Sequence, residues 1–240
     1  MPAINETGHA VNVSNFRLII DHCVELGGVY APTNAAISIA NMNALHASAE
    51  TAIAAVNTTS QQAKGPINAR EEAYEELEPL VTRAFNFYAS TNASEQAIAD
   101  AKGLADKIRG VGVVVQRDAE GNPDPNHVSN SHQSYVQRLN HFRQLIALLV
   151  NDDNYAPSED ALGTDALTVL ANTLETRNEA VGPALAAAIE ARGSRDVLLY
   201  ADETGMLDLV QKVKKYCKSL PPAQATLVKA ILGIKFKKIG

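Results

Sequence analysis

Six histidines, two cysteines and a run of glutamates are the side chains here whose chemistry could serve catalysis or metal binding. A helical zinc site needs two histidines at i, i+4 with a glutamate between them. His9, His22, His46, His127, His132 and His141 contain no such pair. His127 and His132 fall in a polar stretch and read as solvated. His46 falls on an apolar helical seam and reads as an interface histidine ahead of a ligand or pH switch. Glu71, Glu72, Glu75, Glu76 and Glu78 crowd one helix. Di-iron bundles also use helix carboxylates, but they add Glu-x-x-His on facing helices, and that motif is missing. The run therefore reads as a solvated acidic face. "DAEGNPD" places Asp118, Glu120, Asn122 and Asp124 at alternating positions. It lacks the glycine at position six and the glutamate at twelve of a calcium loop, so an exposed turn is expected.

Nucleophile chemistry has as little support. The chain has no Gly-x-Ser-x-Gly elbow and no phosphate loop, and "GLADKIRGVG" reads as helix. His22 and Cys23 are sequence neighbours, which on a helix point in different directions. Cys23 and Cys217 are far apart, each among apolar residues, and are expected as small buried hydrophobes with no disulfide framework. No catalytic residue, cofactor or metal ligand is assigned, and the expectation is a protein that is not an enzyme.

Charge is unevenly spread. Of the 21 Lys and Arg residues, eight lysines follow Asp208: Lys212, Lys214, Lys215, Lys218, Lys229, Lys235, Lys237 and Lys238. No acid follows it, so all 27 acidic residues lie at or before that point. Three readings stand: a helix with basic residues near its C-terminal end, a basic tail docking on the acidic body of another subunit, or binding to nucleic acid or anionic lipid. The last fits poorly, because the tail holds no arginine and the acidic body repels phosphate. No apolar run reaches the ~18 residues of a membrane span. The N-terminal residues lack the basic and apolar regions of a cleavable signal. A cytoplasmic setting is the default, with non-classical export left open.

These residues must be positioned by elements, and a repeat indicates which. "FRLIIDHCVELGGVYAPTNAAI" begins at Phe16 and "FRQLIALLVNDDNYAPSEDAL" at Phe142. Both give Phe-Arg, an apolar run and then Tyr-Ala-Pro, as Tyr30, Ala31, Pro32 and as Tyr155, Ala156, Pro157. The same register pairs Glu50 with Glu175, Val56 with Val181 and, further on, "FYAS" (87–90) with "YCKS" (216–219). A duplicated unit of about 100 residues is the simplest account. The expected organisation is an N-terminal extension over 1–14, repeat one over 15–110, a linker over 111–140 and repeat two over 141–240. Asn122-Pro123-Asp124-Pro125 keeps the linker non-helical.

Each copy reads as helices. One ends at Gly27-Gly28. Tyr-Ala-Pro then turns a corner, with Thr33 or Asn34, and Ser158, as caps of the next helix. The tyrosine should pack in the corner and find a partner for its hydroxyl. A long helix follows with a seam of Ala35, Ile39, Met42, His46, Ala49, Ile53 and Val56. Its counterpart carries Leu167, Leu170, Leu174, Val181, Leu185 and Ala188, interrupted at Arg177 or Asn178. Gly182-Pro183 should kink or split it, and Pro79 is a possible kink. Met206, Leu209, Val210, Val213 and Cys217 mark an apolar face after a turn at Asp202–Gly205. Short helices at 95–108 and 223–232 complete the copies. "VGVVVQ" (111–116) and "IKFKKI" (234–239) are β-like but short. The fold class is all-α: two tandem, internally duplicated antiparallel helical bundles, stacked or related by a pseudo-twofold.

"YAPSEDAL", "RDVLLYADETGMLDLVQKVKKYCKS" and "GIKFKKI" resemble a repeat of uncharacterised all-helical bacterial proteins. Gly205, Met206, Leu207 and Asp208 match its Gly-hydrophobic-hydrophobic-Asp turn, and Val213, Lys214, Lys215 and Tyr216 its Val-Lys-Lys-Tyr segment. The likeness covers copy two well and copy one only at its corner. It implies a repeated helical module and no activity.

The leading expectation is a structural, self-associating helical protein: a filament, layer or scaffold subunit. Duplication gives two similar surfaces, and head-to-tail contacts between unlike surfaces make open chains. Lys212, Lys214, Lys215, Lys218, Lys235, Lys237 and Lys238, with Glu71, Glu72, Glu75 and Glu76, are the candidate interaction residues. The partner is another copy or another protein, with nucleic acid disfavoured. A monomeric adaptor holding a partner helix is the alternative, and a membrane-active bundle comes last.

Overall fold

The computed structural model describes residues 8–111 and 134–239. Among them are eight α-helices and no strand, as the Ala-rich, aromatic-poor composition favours. They are α1 (His9–Glu25), α2 (Ile39–Glu75), α3 (Leu77–Ala89), α4 (Glu95–Arg109), α5 (Tyr135–Val150), α6 (Thr164–Tyr200), α7 (Met206–Cys217) and α8 (Ala225–Gly233). Three-residue 3-10 turns at Ala35–Ile37 and Asp160–Leu162 precede the two long helices, which have 37 residues each.

The compact units are not the blocks 15–110 and 141–240. Unit 1 comprises residues 1–63 and 185–240, and unit 2 comprises 64–184. Each long helix begins in one unit and ends in the other. Unit 1 therefore combines α1 and the start of α2 with the end of α6, α7 and α8. Unit 2 combines the end of α2, α3 and α4 with α5 and the start of α6. The physical reason lies in the length of α2 and α6. At 1.5 Å per residue each extends about 55 Å, too far for both ends to serve one small core.

The core of unit 1 is built on Phe16, Ile19, Ile20, Cys23, Met42, Leu199, Met206, Val210 and Val213. That of unit 2 is built on Leu77, Val81, Tyr88, Phe142, Leu145, Leu149, Leu167 and Leu174. Phe16 and Phe142, the first residues of the repeated segments, are both fully buried. Burying each is worth about 2–3 kcal/mol. The apolar face expected on α7 is buried as read. Leu185 departs from its expected seam place at 43% exposed, because α6 enters unit 1 there and turns Ala188 and Leu199 inward.

Gly182-Pro183 does not split its helix. Gly182-Pro183 lies inside α6, and Gly65-Pro66 inside α2. A mid-helix proline forfeits one backbone hydrogen bond. Here the helix on each side is anchored in a different core, which outweighs the single loss. Pro79 falls where a kink was expected: it sits in the first turn of α3, and the helix breaks at Glu76, three residues before it.

The N-terminal expectation also shifts. α1 starts at His9, so residues 9–14 are helix and not extension. Val13 enters the core, and Asn12 is buried because its side chain binds backbone of the C-terminal segment. Asn12 Nδ2 donates to the Lys237 carbonyl at 2.7 Å, and Lys237 N–H donates to Asn12 Oδ1 at 3.2 Å. Asn15 Nδ2 donates to the Lys235 carbonyl at 2.9 Å. Residues 234–239 thus run extended without a strand partner, their backbone bonded by asparagine side chains of α1. Ile234, Phe236 and Ile239 pack on the core, and the lysines between them face out. α5 starts at Tyr135, so the last residues assigned to the linker are helix. The remaining linker, with His127, His132 and 118–124, lies outside the described residues, as does 112–116 of "VGVVVQ".

Candidate functional site

The two Tyr-Ala-Pro corners have the same construction. In unit 1 the Tyr30 hydroxyl donates to the Ile37 carbonyl at 2.8 Å; in unit 2 the Tyr155 hydroxyl donates to the Leu162 carbonyl at 2.7 Å. Each bond spans seven residues and fastens the corner to the 3-10 turn before the long helix. Pro32 and Pro157 hold the preceding residue extended. Ala31 is exposed, and its N–H donates to the Tyr216 hydroxyl at 3.0 Å. Both tyrosines are nearly buried, and burial pushes their hydroxyls to higher pKa, Tyr155 to about 12. They stay protonated as donors. The caps differ from expectation. Asn34 accepts from Ala36 N–H at 3.0 Å and so caps the 3-10 turn, not α2. Ser158 caps nothing: Glu159 is the residue before the 3-10 turn, and its carboxylate pairs with Arg83 at 2.5 Å.

Each corner is met by an aromatic from the other half of the sequence. Tyr216 of α7 packs edge-on against Tyr30, centroids 5.2 Å apart at 88°. Phe87 of α3 packs edge-on against Tyr155, 5.5 Å apart at 86°. Such tilted pairs are favourable beyond their buried area. The pairing of "FYAS" with "YCKS" placed Phe87 opposite Tyr216, so the sequence held this signal. Sequence reading did not foresee that the partners would cross between halves. The corner motif is structural.

The candidate interaction lysines divide. Lys214 is not a free charge: its Nζ donates to the Ile234 carbonyl and, at 3.3 Å, to that of Leu232, and it lies 5.6 Å from the Phe236 ring. Burial, and then Lys218, lower its pKa. It ties α7 to the chain leaving α8. Lys212 Nζ donates to the Glu203 carbonyl at 2.7 Å, fastening the turn before α7. Lys215, Lys218, Lys235, Lys237 and Lys238 are exposed on unit 1. Glu71, Glu72, Glu75 and Glu76 are exposed on unit 2, as an acidic face should be.

Two surface features of unit 1 escaped sequence reading. Leu185, Ile189, Gly193 and Val197 follow one another at i, i+4 along α6 and are all exposed. Ile189 and Val197 are 65% and 67% exposed. Of these, only Leu185 was expected on the core seam. The second feature is a groove of about 380 Å³ between α1 and α2, lined by Val13, Arg17, His46, Glu50 and Ile53 among others. His46 Nδ1 lies 3.5 Å from Glu50 Oε2, while Arg17 is held by Asn43 at 3.0 Å and Asp21 at 2.7 Å. At the matching place in unit 2, Arg143 pairs with Glu175 at 2.6 Å.

His46 is thus the interface histidine expected, partnered by a carboxylate on its own helix. Among the described residues no three His, Cys, Asp or Glu side chains gather as a metal would need. No described helix is long and apolar enough to cross a membrane. Comparison with family models, with curated proteins and with solved structures finds no match to the chain.

Proposed function

We propose that the chain is an internally duplicated, non-catalytic helical protein that assembles with copies of itself as a structural subunit. The carrying observation is the exposed row on α6, Leu185, Ile189, Gly193 and Val197. It extends about 18 Å along the helix. An apolar row at i, i+4 with a glycine in it lets a second helix approach closely, and a twofold pairing of that row on itself closes a dimer. The exposed lysines near the C-terminus and the exposed glutamates of α2 are unlike surfaces of opposite charge. Contacts between them run head to tail and extend dimers into open assemblies. Duplication is supported by the equal long helices, the matching corner bonds and the crossed aromatic pairs.

Light scattering at increasing concentration tests this. Large assemblies are expected at low salt, and dimers at about 0.5 M salt, where exposed charges are screened. Ile189→Glu should give monomers at high salt. A monomer at high concentration and low salt overturns the reading. A second reading, a monomeric adaptor, draws on the groove between α1 and α2. It is favoured instead if the protein stays monomeric and retains one stoichiometric partner.

A further inference from the structure

Residues 234–239 lie on unit 1 as a bound peptide would, their backbone held by side chains. Asn12 Nδ2 donates to the Lys237 carbonyl at 2.7 Å, and Lys237 N–H donates to Asn12 Oδ1 at 3.2 Å. Asn15 Nδ2 donates to the Lys235 carbonyl at 2.9 Å, and Lys214 Nζ donates to that of Ile234. Ile234, Phe236 and Ile239 pack on the core, while Lys235, Lys237 and Lys238 are exposed. Main-chain bonds combined with places for alternate side chains are a general way of holding an extended peptide.

The site suits a backbone, whichever chain supplies it. Asn12 is 3% exposed, and its Nδ2 also donates to the Tyr200 hydroxyl at 3.1 Å, which lies 2.8 Å from His9 Nδ1. That second bond fixes the amide, so that its oxygen and its other N–H face one residue of an extended segment. Left empty, the site would bury an amide with lost partners, which is unfavourable. The register that pairs Phe16 with Phe142 puts Arg138 and His141 where α1 has Asn12 and Asn15. The asparagine pair therefore belongs to unit 1 alone.

The occupant is loosely fastened. Its apolar side chains are only half-buried, and it follows the exposed Gly233 at the end of α8. Lys238 stands 3.9 Å from Asp202, both exposed. No strand among the described residues pairs with it. A terminal segment held this way detaches by local opening. Its six residues then reach about 20 Å when extended, enough to leave their own groove for that of a neighbour.

We propose that the α1 face carrying Asn12 and Asn15 is a docking site for the C-terminal segment of a second copy, so that residues 234–239 exchange between chains. An exchanged segment makes the same bonds as before, which is why swapping an identical element is a low-cost route to association. Reciprocal exchange closes a dimer. One-way exchange leaves a free segment at one end and a free site at the other, to which further copies add. This contact is separate from the α6 row and from the charged surfaces.

The test uses two full-length chains, one with Asn15→Cys and one with Lys235→Cys, each also carrying Ile189→Glu to disable the α6 row. Asn12 keeps both its bonds to Lys237 in either chain. The two are mixed at high concentration in about 0.5 M salt, which screens exposed charges. A short bis-maleimide then joins exposed thiols and spares the buried Cys23 and Cys217. A covalent heterodimer well above either homodimer is expected, growing with time and concentration. Excess synthetic peptide of residues 233–240 should reduce it to the homodimer level. One chain bearing both new cysteines should cross-link internally when dilute, which shows that the linker spans the contact. The proposal is overturned by internal cross-linking without a heterodimer excess, by a heterodimer that the peptide leaves unchanged, or by a dilute double variant that does not cross-link. None of these outcomes bears on the α6 row, which light scattering of the unaltered protein tests separately.

Discussion

Replacing Tyr155 by Phe removes one oxygen and nothing else from the unit 2 corner. The ring is 7% exposed, and its hydroxyl donates to the Leu162 carbonyl at 2.7 Å. Phe keeps the ring against Phe87 and Tyr88, so no cavity opens. What remains is a carbonyl that has lost its donor where the hydroxyl was buried, a cost of about 1–3 kcal/mol. Urea unfolding should show the midpoint falling with the slope unchanged. With a slope of about 2–3 kcal/mol/M for a chain of this size, the shift is roughly 0.5–1 M. Tyr30→Phe should cost a similar amount, because Tyr30 makes the same bond to Ile37 at 2.8 Å. Tyr155→Leu should cost more, adding about 0.5–1.5 kcal/mol for each lost aromatic pair and a cavity term. A Phe variant as stable as the parent would refute the reasoning, since it would mean that the carbonyl finds water or another donor at no cost.

Other consequences follow from single contacts. A Cβ on Gly205 would stand 2.6 Å from backbone N and O of Ala201, which cannot yield. Gly205→Ala should therefore lose about 2–3 kcal/mol in chemical denaturation, although Gly205 has an ordinary φ of −68°. Lys214→Met should speed amide exchange across α8 and residues 234–239, at a cost of about 1 kcal/mol, by removing the donor to the Leu232 and Ile234 carbonyls. Burial, and then Arg195, lower the His9 pKa below 6.5. Its neutral ring is the native form, so its contribution is full above pH 6.5 and falls as pH drops from there through the lower folded value. His9→Gln should flatten the pH dependence of unfolding in that window.

Much of the local structure was legible in the sequence, because local signals wrote it. The buried face of α7 follows helical spacing, α4 starts behind its Ser94 cap, and Tyr-Ala-Pro forms a corner twice. What escaped were features decided by distant segments. Gly182-Pro183 reads as a kink or a split, yet α6 runs through it, anchored in a core on each side. Asn12 and Asn15 look like polar surface, yet they bind the backbone of residues 235–237. Lys214 counts as a tail charge in a sequence tally and is instead spent on two carbonyls. Cys23 and Cys217 gave no sign of sharing one core, because nothing local brings α1 to α7. Leu185, the first residue of the exposed row on α6, was expected on the core seam, since periodicity reports a face without saying what covers it.

Each compact unit draws on both halves of the sequence. Urea unfolding of three separately expressed fragments, 64–184, 15–110 and 141–240, tests that composition directly. Fragment 64–184 holds the whole unit 2 core in one stretch and should unfold cooperatively on its own. Fragments 15–110 and 141–240 each hold part of two cores and should be largely unstructured alone, gaining helix when mixed. Cooperative folding of 15–110 and 141–240 by themselves, with 64–184 unfolded, would contradict the account.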